Sequence, residues 1–479
     1  MIVTHSSQGI WAAKHAALIT MTDRIRIPAG LSPADESFLT ETLHSAGFKP
    51  KPDQSFTVRL PESKRTVIVY GISKSLQSLR MAVGYAIRQS LGIKELAVSC
   101  NFEGFTETEA AKAIAESAVL ASYRFDTYKS EKQACTIERV VVADAKSLVK
   151  DAISEGEMLG KVTIKARELI NTPAETATPE YVASYAAKMA VDAKLICHVL
   201  KKKDLERLGM QGVLSVGQGS SRDPCFVVLE HKGYSSSKTI VVVGKGVTFD
   251  SGGLSLKPAQ SMETMKEDKS GAAAVIGCLE ACSRLKLKHH VIGLIPLVEN
   301  MPSGSSFKPG DIVTTMSGKT IEILNTDAEG RVILADALHY AKRFKPQAVI
   351  DLATLTGACI VALGTSVSGI MGTDKELVER LVAAGEKTGE RLWQLPLYEE
   401  YAELIKSDYA DMKNVTSNVP GGSSAGTISA AMLLKNFTDY PWAHIDITGP
   451  AWSDSEKGYL SKGATGVGIR LLVQFLMDY

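Results

Sequence analysis

Two short stretches of the chain concentrate residue types that can do chemistry. A β-branched run, Thr239 to Val243, gives way to Gly244-Lys245-Gly246-Val247-Thr248-Phe249-Asp250-Ser251-Gly252-Gly253. Lys257 follows, and then Asp268, just before a helical pattern that begins near Gly271. Glycine-rich chain leaving the carboxyl end of a strand is where α/β proteins build their sites. The order G-x-x-x-x-G-K-[ST] is absent, so this loop is not a phosphate-cradling P-loop. The second stretch is Asn325-Thr326-Asp327-Ala328-Glu329-Gly330-Arg331, again leading into a helix. Read as extended chain, it projects residues 327, 329 and 331 to the same side, so that two acids and an arginine converge.

Taken singly, each of these residues has an ordinary explanation. Asp268 and Asp327 suit helix N-termini. Lys245 and Lys257 read as solvated loop charges, and Glu329 with Arg331 as a surface pair of little energetic value. The set resists that reading, because acids gather in apolar surroundings without enough nearby positive charge. Asp250, Asp268, Asp327 and Glu329 bring four negative charges, which two hard or borderline divalent cations would balance. Histidine offers no competing site: the nine His are scattered, there is no H-E-x-x-H pair, and His289 and His290 stand side by side before a strand. A carboxylate-rich site with two metals suits hydrolysis, since a bridging water can become hydroxide near neutral pH.

These residues resemble a known family. Asn325 to Arg331 is similar to the signature of the leucyl aminopeptidases, the cytosol aminopeptidase family of two-metal exopeptidases. Gly244 to Gly253, Lys257-Pro258, Asp268 with Ser270 to Ala274, Asp351 to Gly357, Gly422 to Ala430 and Gly463 to Gly466 stand in the same order and spacing as in that family. The resemblance is strong over residues 160–479, beginning near Asn171-Thr172-Pro173. Over the N-terminal part it rests on position and α/β pattern alone.

The resemblance implies a role for each matching residue. Lys245 and Asp268 would hold the more tightly bound metal and Asp327 the more exchangeable one, with Asp250 and Glu329 bridging the two. Lys257 would polarise the scissile carbonyl, and Arg331 would hold a bicarbonate ion acting as general base. Met265, Thr354 and Gly357 would line the pocket for the first side chain, and Leu355 would offer a backbone contact. The metals implied are Mn or Zn, with Mg or Co as further candidates. The substrates implied are peptides with a free N-terminus, Leu-like first residues being preferred, and the assembly implied is a homohexamer of two stacked trimers around an inner cavity. One departure is Lys269, directly after Asp268, where the family commonly has an uncharged residue such as Met.

The elements that must position these groups alternate strand with helix. Residues 65–71, 95–100 and 139–143 read as strands and 75–92 and 107–123 as helices, giving a first α/β domain over 1–145. A long helix over 145–170 ends at Asn171-Thr172-Pro173, because proline neither continues a helix nor permits one readily in the residue before it. Residues 146–171 thus read as a linker helix and 172–479 as the catalytic domain. There, strands are expected at 239–243, 290–298 and 348–353 and helices at 272–287, 332–344 and 427–437. Near-continuous apolar strands indicate a sheet covered on both faces. The fold class is therefore α/β in two domains, the first macro-like and the second a catalytic domain with a mixed central sheet covered by helices.

A length of 479 residues is too long for one ordinary core. A composition of 45% hydrophobic and 22% charged residues excludes disordered and fibrous classes. The net charge of +1, split as +4 over residues 1–150 and −3 over the rest, supplies no global attraction to nucleic acid or membrane. No apolar run reaches the ~18 residues of a spanning helix. Seven Cys without a C-x-x-C pair read as reduced thiols, and the start at Met1 to His5 lacks a charged flank and apolar signal core, so a cytoplasmic location is expected. Two rival readings compete. Gly422-Ser423-Ser424-Ala425-Gly426 matches G-x-S-x-G with His444 downstream, but Asn418 to Gly421 is a poor strand and a helix cap before Thr427 suits it better. A DNA-binding or regulatory role, as some bacterial members of the family serve, finds weak support in the +4 of the first part.

Overall fold

The computed structural model describes residues 1–21, 25–51, 54–90, 92–101, 104–133, 135–234, 238–416 and 424–479. The chain forms two compact units, one of residues 1–164 and 453–463 and the other of 165–452 and 464–479. The division falls inside the helix Lys150–Asn171, and the segment 453–463 returns to the first unit.

In the first unit a six-stranded sheet has the order Ile2–His5, Arg139–Ala143, Glu95–Ser99, Ala16–Met21, Thr66–Gly71, Ser55–Arg59. All neighbours run parallel except the last pair. Helices Leu76–Gln89 and Glu107–Ala121 cover one face through alanines such as Ala82, Ala111 and Ala115, whose small side chains let helix backbones approach closely. Thr106 and Glu109 form a capping box that starts the second of these helices. Tyr459 from the returning segment is buried in the same core, and Arg88 donates to the Gly458 carbonyl at 2.7 Å.

The second unit is built on a nine-stranded mixed sheet. Its order is Leu392–Gln394, Ser368–Gly372, Trp442–Asp446, Ala348–Ala353, Thr239–Gly244, His290–Asn300, Cys225–His231, Ile196–Lys201, with Gly246–Asp250 also pairing alongside His290–Asn300. The four central strands, from Trp442–Asp446 to His290–Asn300, are parallel, as their β-branched, fully buried residues demand. Ile240, Val241, Val242 and Val243 are all completely buried, each worth about 1.5–3 kcal/mol of hydrophobic stabilisation. Helix Ser270–Arg284 packs on one face and Gly330–Ala341 on the other. The strands Thr239–Gly244 and Ala348–Ala353 both point their carboxyl ends at the site.

Several details differ from the expectations. The helices run 270–284 and 426–435 rather than 272–287 and 427–437, and the one after Glu329 ends at Ala341 with a 3-10 turn to Phe344. The stretch Asp327–Arg331 is not extended: residues 326–327 form a turn, Glu329 has helical φ and ψ, and Arg331 lies in the first helical turn. Cys278 and Cys282 share a helix face, fully buried with sulfurs 4.0 Å apart, and all seven cysteines are free thiols, as expected. Among the described residues no helix is long and apolar enough to cross a membrane.

Candidate active site

The site forms where three stretches meet beyond the carboxyl ends of the central strands. Lys245 follows directly from Thr239–Gly244, Asp250 ends Gly246–Asp250, and Asp268 sits in a 3-10 turn ahead of helix Ser270–Arg284. Asp327 and Glu329 come from the turn before helix Gly330–Ala341. One ligand oxygen each from Asp250, Asp327 and Glu329 can be chosen so that all lie within 4.8 Å of one another. Lys245 Nζ lies 2.8 Å from both Asp268 Oδ1 and Glu329 Oε1 and donates to the Thr354 carbonyl at 2.9 Å. Lys257 Nζ pairs with Asp250 Oδ2 at 2.8 Å and also with Asp327 Oδ1. The structure thus brings Lys245, Asp250, Lys257, Asp268, Asp327 and Glu329 into one cluster. Turn and helix geometry at 326–331 achieves the convergence that an extended strand was expected to give.

The approach depends on glycine at two points. A Cβ on Gly330 would lie 2.7 Å from Lys245 Cε and 2.9 Å from its Nζ, so only glycine lets the lysine reach Glu329. Gly252 has φ +85° and turns the loop so that its N–H donates to Asp250 Oδ1 at 2.9 Å. Asn300 Nδ2 donates to the same oxygen at 2.8 Å and to the Thr326 carbonyl at 3.0 Å. Thr326 and Ser255 exchange backbone-to-hydroxyl bonds of 2.8 and 3.1 Å. The two glycine-rich loops are therefore fastened to each other, which fixes the relative position of Asp250 and Asp327.

The electrostatics are those of a site short of positive charge. Burial, and then the neighbouring Asp250 carboxylate, push Glu329 up to about 7 and Asp327 up to about 6. Burial likewise raises Asp268 despite its lysine partner. Burial alone would lower the Lys245 and Lys257 ammonium groups, but the surrounding carboxylates outweigh it and hold both above the ordinary lysine value. Asp268 Oδ2 is buried without a hydrogen-bond partner. Clustered hard oxygens, raised carboxylates and an orphaned buried oxygen fit divalent cations of the Mn, Zn or Mg type.

A cavity of ≈ 160 Å³ adjoins the cluster, lined by Asp327, Arg331, Leu355, Gly357, Val415 and Thr416 among others. Arg331 is buried, and burial lowers it to about 10; its Nη1 donates to the Asn414 carbonyl at 2.7 Å. Gly357 opens helix Gly357–Leu363 with free space where a side chain would stand. Leu355 lines the cavity, but its N–H donates to Asp446 Oδ1 at 3.3 Å. Thr354 and Met265 are absent from the lining of this cavity. Thr354 instead donates to Asp268 Oδ1 at 2.7 Å, and Met265 is half-buried in the 3-10 turn before Asp268. Lys269 is completely buried with its Nζ directed to the carbonyls of Lys266 at 2.7 Å and Thr172 at 3.5 Å; burial and Lys266 lower it to about 7.

Among the described residues, the serine-hydrolase reading finds no support. Gly422 and Ser423 lie outside the described residues, as does the segment before them from residue 417. Helix Gly426–Lys435 begins after Ala425 with no side-chain cap, so the expected cap is not formed by Ser424 or its neighbours among the described residues. His444 is wholly buried and pairs with Asp351 at 2.6 Å; Asp351 also accepts from Trp442 Nε1 at 2.7 Å. Asn300 and Asn414 are the polar residues around the site that motif reading missed.

The fold is of the α/β class and the site gathers acids and lysines suited to divalent cations; comparison with known proteins gives the family. Residues 164–473 match the catalytic domain of the cytosol aminopeptidase family and residues 31–132 match its N-terminal domain. The chain belongs to the cytosol aminopeptidase family, and with it to the hydrolases of the aminopeptidase class. It is 48% identical over 431 residues to a probable cytosol aminopeptidase of Geobacter sulfurreducens, covering 87% of this chain and 86% of that one. It is 47% identical over 407 residues to a probable cytosol aminopeptidase of Syntrophotalea carbinolica, covering 82% and 81%. Among solved structures, the bottromycin maturation enzyme BotP in complex with Mn superposes with a TM-score of 0.86 at 34% identity, over 97% of this chain and 99% of that one.

Proposed function

We propose that the chain releases N-terminal amino acids, Leu-like residues preferred, from peptides by hydrolysis at a two-metal centre. The observation that carries this reading is the cluster of Asp250, Asp327 and Glu329 oxygens beside the Lys245–Asp268 pair. Lys245, Asp250, Asp268, Asp327 and Glu329 would hold the cations. Two bound divalent cations would supply a water acidified toward neutral pH and a Lewis acid for the scissile carbonyl. The fit of the donor set, and the Mn in the complex of BotP, support divalent metal, with Mn or Zn as first candidates.

The chain's own groups do the rest. Lys257 leaves its pairs with Asp250 and Asp327 and donates to the carbonyl oxygen of the substrate, a contact that strengthens as negative charge develops there. Arg331, held by the Asn414 carbonyl in the cavity wall, fixes an anionic general base such as bicarbonate. A free α-amine is required because an acylated nitrogen is a poor ligand. Selection among apolar first residues is modest, about 1–3 kcal/mol per methylene. The assembly that the family resemblance implies, a homohexamer, is the proposed state. Metal analysis combined with a panel of aminoacyl amides tests the reading. Chelation should abolish cleavage and two Mn per chain restore it, Leu and Met amides leading; full turnover by metal-free protein would overturn it.

A further inference from the structure

We propose that Asn414 is a positioning residue for the metal-binding loop Asn325–Arg331, setting Asp327, Glu329 and Arg331 at once. The inference rests on the two-metal reading above and deepens it. Asn414 lies far from the loop in sequence and in no motif that the sequence analysis singled out. The short strand Met412–Lys413 runs parallel to Thr320–Glu322, and Asn414 N–H continues that pairing by donating to the Glu322 carbonyl at 2.9 Å. Its side chain then turns into the loop. Oδ1 accepts from the Leu324 and Asn325 N–H groups at 2.9 and 3.3 Å. Nδ2 donates to the Asn325 and Ala328 carbonyls at 2.6 and 3.3 Å. Its own carbonyl takes Arg331 Nη1 at 2.7 Å.

These bonds bracket the chemistry. Residues 323–329 have neither helix nor strand to satisfy their backbone groups; turn and loop bonds meet some of them, and the buried Asn414 side chain meets others. Two donors and one carbonyl oxygen, all used here, form the full inventory of a carboxamide. Aspartate has the shape without the donors, serine and threonine have too few groups, and glutamine is a methylene too long. The bonded groups stand on both sides of Asp327 and immediately before Glu329. Arg331 hangs from the same residue's main chain, so a change that loosens the loop need not release the arginine. Asn414 is completely buried, which removes water as a substitute partner.

The test is Mn binding followed by calorimetry on the full-length chain, with stability measured in parallel. Wild type should bind two Mn in resolvable steps. Asn414→Ala keeps the carbonyl that holds Arg331 and should weaken one step by about 10–100-fold, the range for loss of groups that orient metal ligands. Asn414→Asp, which fills the same space and adds a negative charge, should also weaken that step, although added charge alone would strengthen it. Asp411→Ala is the control. Asp411 fastens the same strand pair through Thr320, at 2.7 Å to its N–H, without touching the loop, so this variant should lose stability and keep both Mn steps. Unchanged Mn binding in the Asn414 variants, or an equal loss in Asp411→Ala, would overturn the proposal while leaving the two-metal reading intact. A wild type that takes up no second Mn would overturn that reading and the proposal with it.

Discussion

Lys245 is the most demanding of the proposed ligands, because an ammonium has no lone pair and must lose a proton before it can bind a cation. In the metal-free chain that proton is held firmly, with Asp268 and Glu329 each 2.8 Å away. Removing it at pH 7 costs at least about 4.6 kcal/mol from the reference lysine pKa of about 10.4, and the raised value in this site adds to that. Glu329, at about 7, is half protonated at neutral pH, and Asp327, at about 6, holds roughly a tenth of a proton. Filling the site at pH 7 should then release more than one proton: one from Lys245 and the rest from the raised carboxylates Glu329, Asp327 and Asp268. As pH rises past 8 the carboxylate share fades and a plateau near one proton remains. Lys245→Met removes the plateau, so release should fall toward zero at alkaline pH. It also removes the charge that holds Glu329 down, which moves the carboxylate share to higher pH and makes a pH series necessary. Mn calorimetry in two buffers of different ionisation enthalpy reads proton release and affinity together. The account expects one weakened site and a lost proton in Lys245→Met. Tighter binding would mean that Lys245 only neutralises the acids, and unchanged affinity with unchanged release would exclude it as a ligand.

Other consequences follow from the same geometry. Lys257→Ala should lower kcat by about 10²-fold or more, as for loss of a group that stabilises a developing oxyanion, and Arg331→Ala by about 10²-fold or more, as for loss of a general base, while metal analysis still finds two ions per chain. Gly330→Ala should fold, since the clash is with the flexible end of Lys245, but should weaken metal binding by displacing that amine; equal Mn affinity by titration would contradict the reading of this glycine. Mn affinity of the wild-type chain should fall as pH drops through 7 and then 6, because protons compete for Glu329 and Asp327 there; a flat profile between pH 8 and 5.5 would contradict it.

The sequence makes the clustered acids and lysines legible because their chemistry is local. Glycines and acids sit within a few positions of strands whose β-branched runs, such as Ile240 to Val243, announce themselves. The geometry joining them is less local. An alternating-side argument predicted convergence of residues 327 to 331 through extended chain, whereas the acids meet across a turn and the first turn of a helix. Asn300 and Asn414 escaped notice because their importance lies in partners distant in the chain, Asp250 for one and Leu324 to Ala328 for the other. Thr354, which the resemblance places at the pocket for the first side chain, donates its hydroxyl to Asp268 Oδ1, a partner 86 residues away that spacing along the chain does not reveal. The return of residues 453–463 to the first unit could not be read either, since contiguous boundaries are all that a pattern along the chain supplies.

The central claim, that a free amine is presented to a pair of metals, is tested most directly by comparing Leu-amide with N-acetyl-Leu-amide on protein stripped of metal and reloaded with Mn. Reloading should restore cleavage of the free amide at two Mn per chain and leave the acetylated one essentially uncleaved. Comparable turnover of the two substrates, or turnover of Leu-amide that is indifferent to metal, would contradict it.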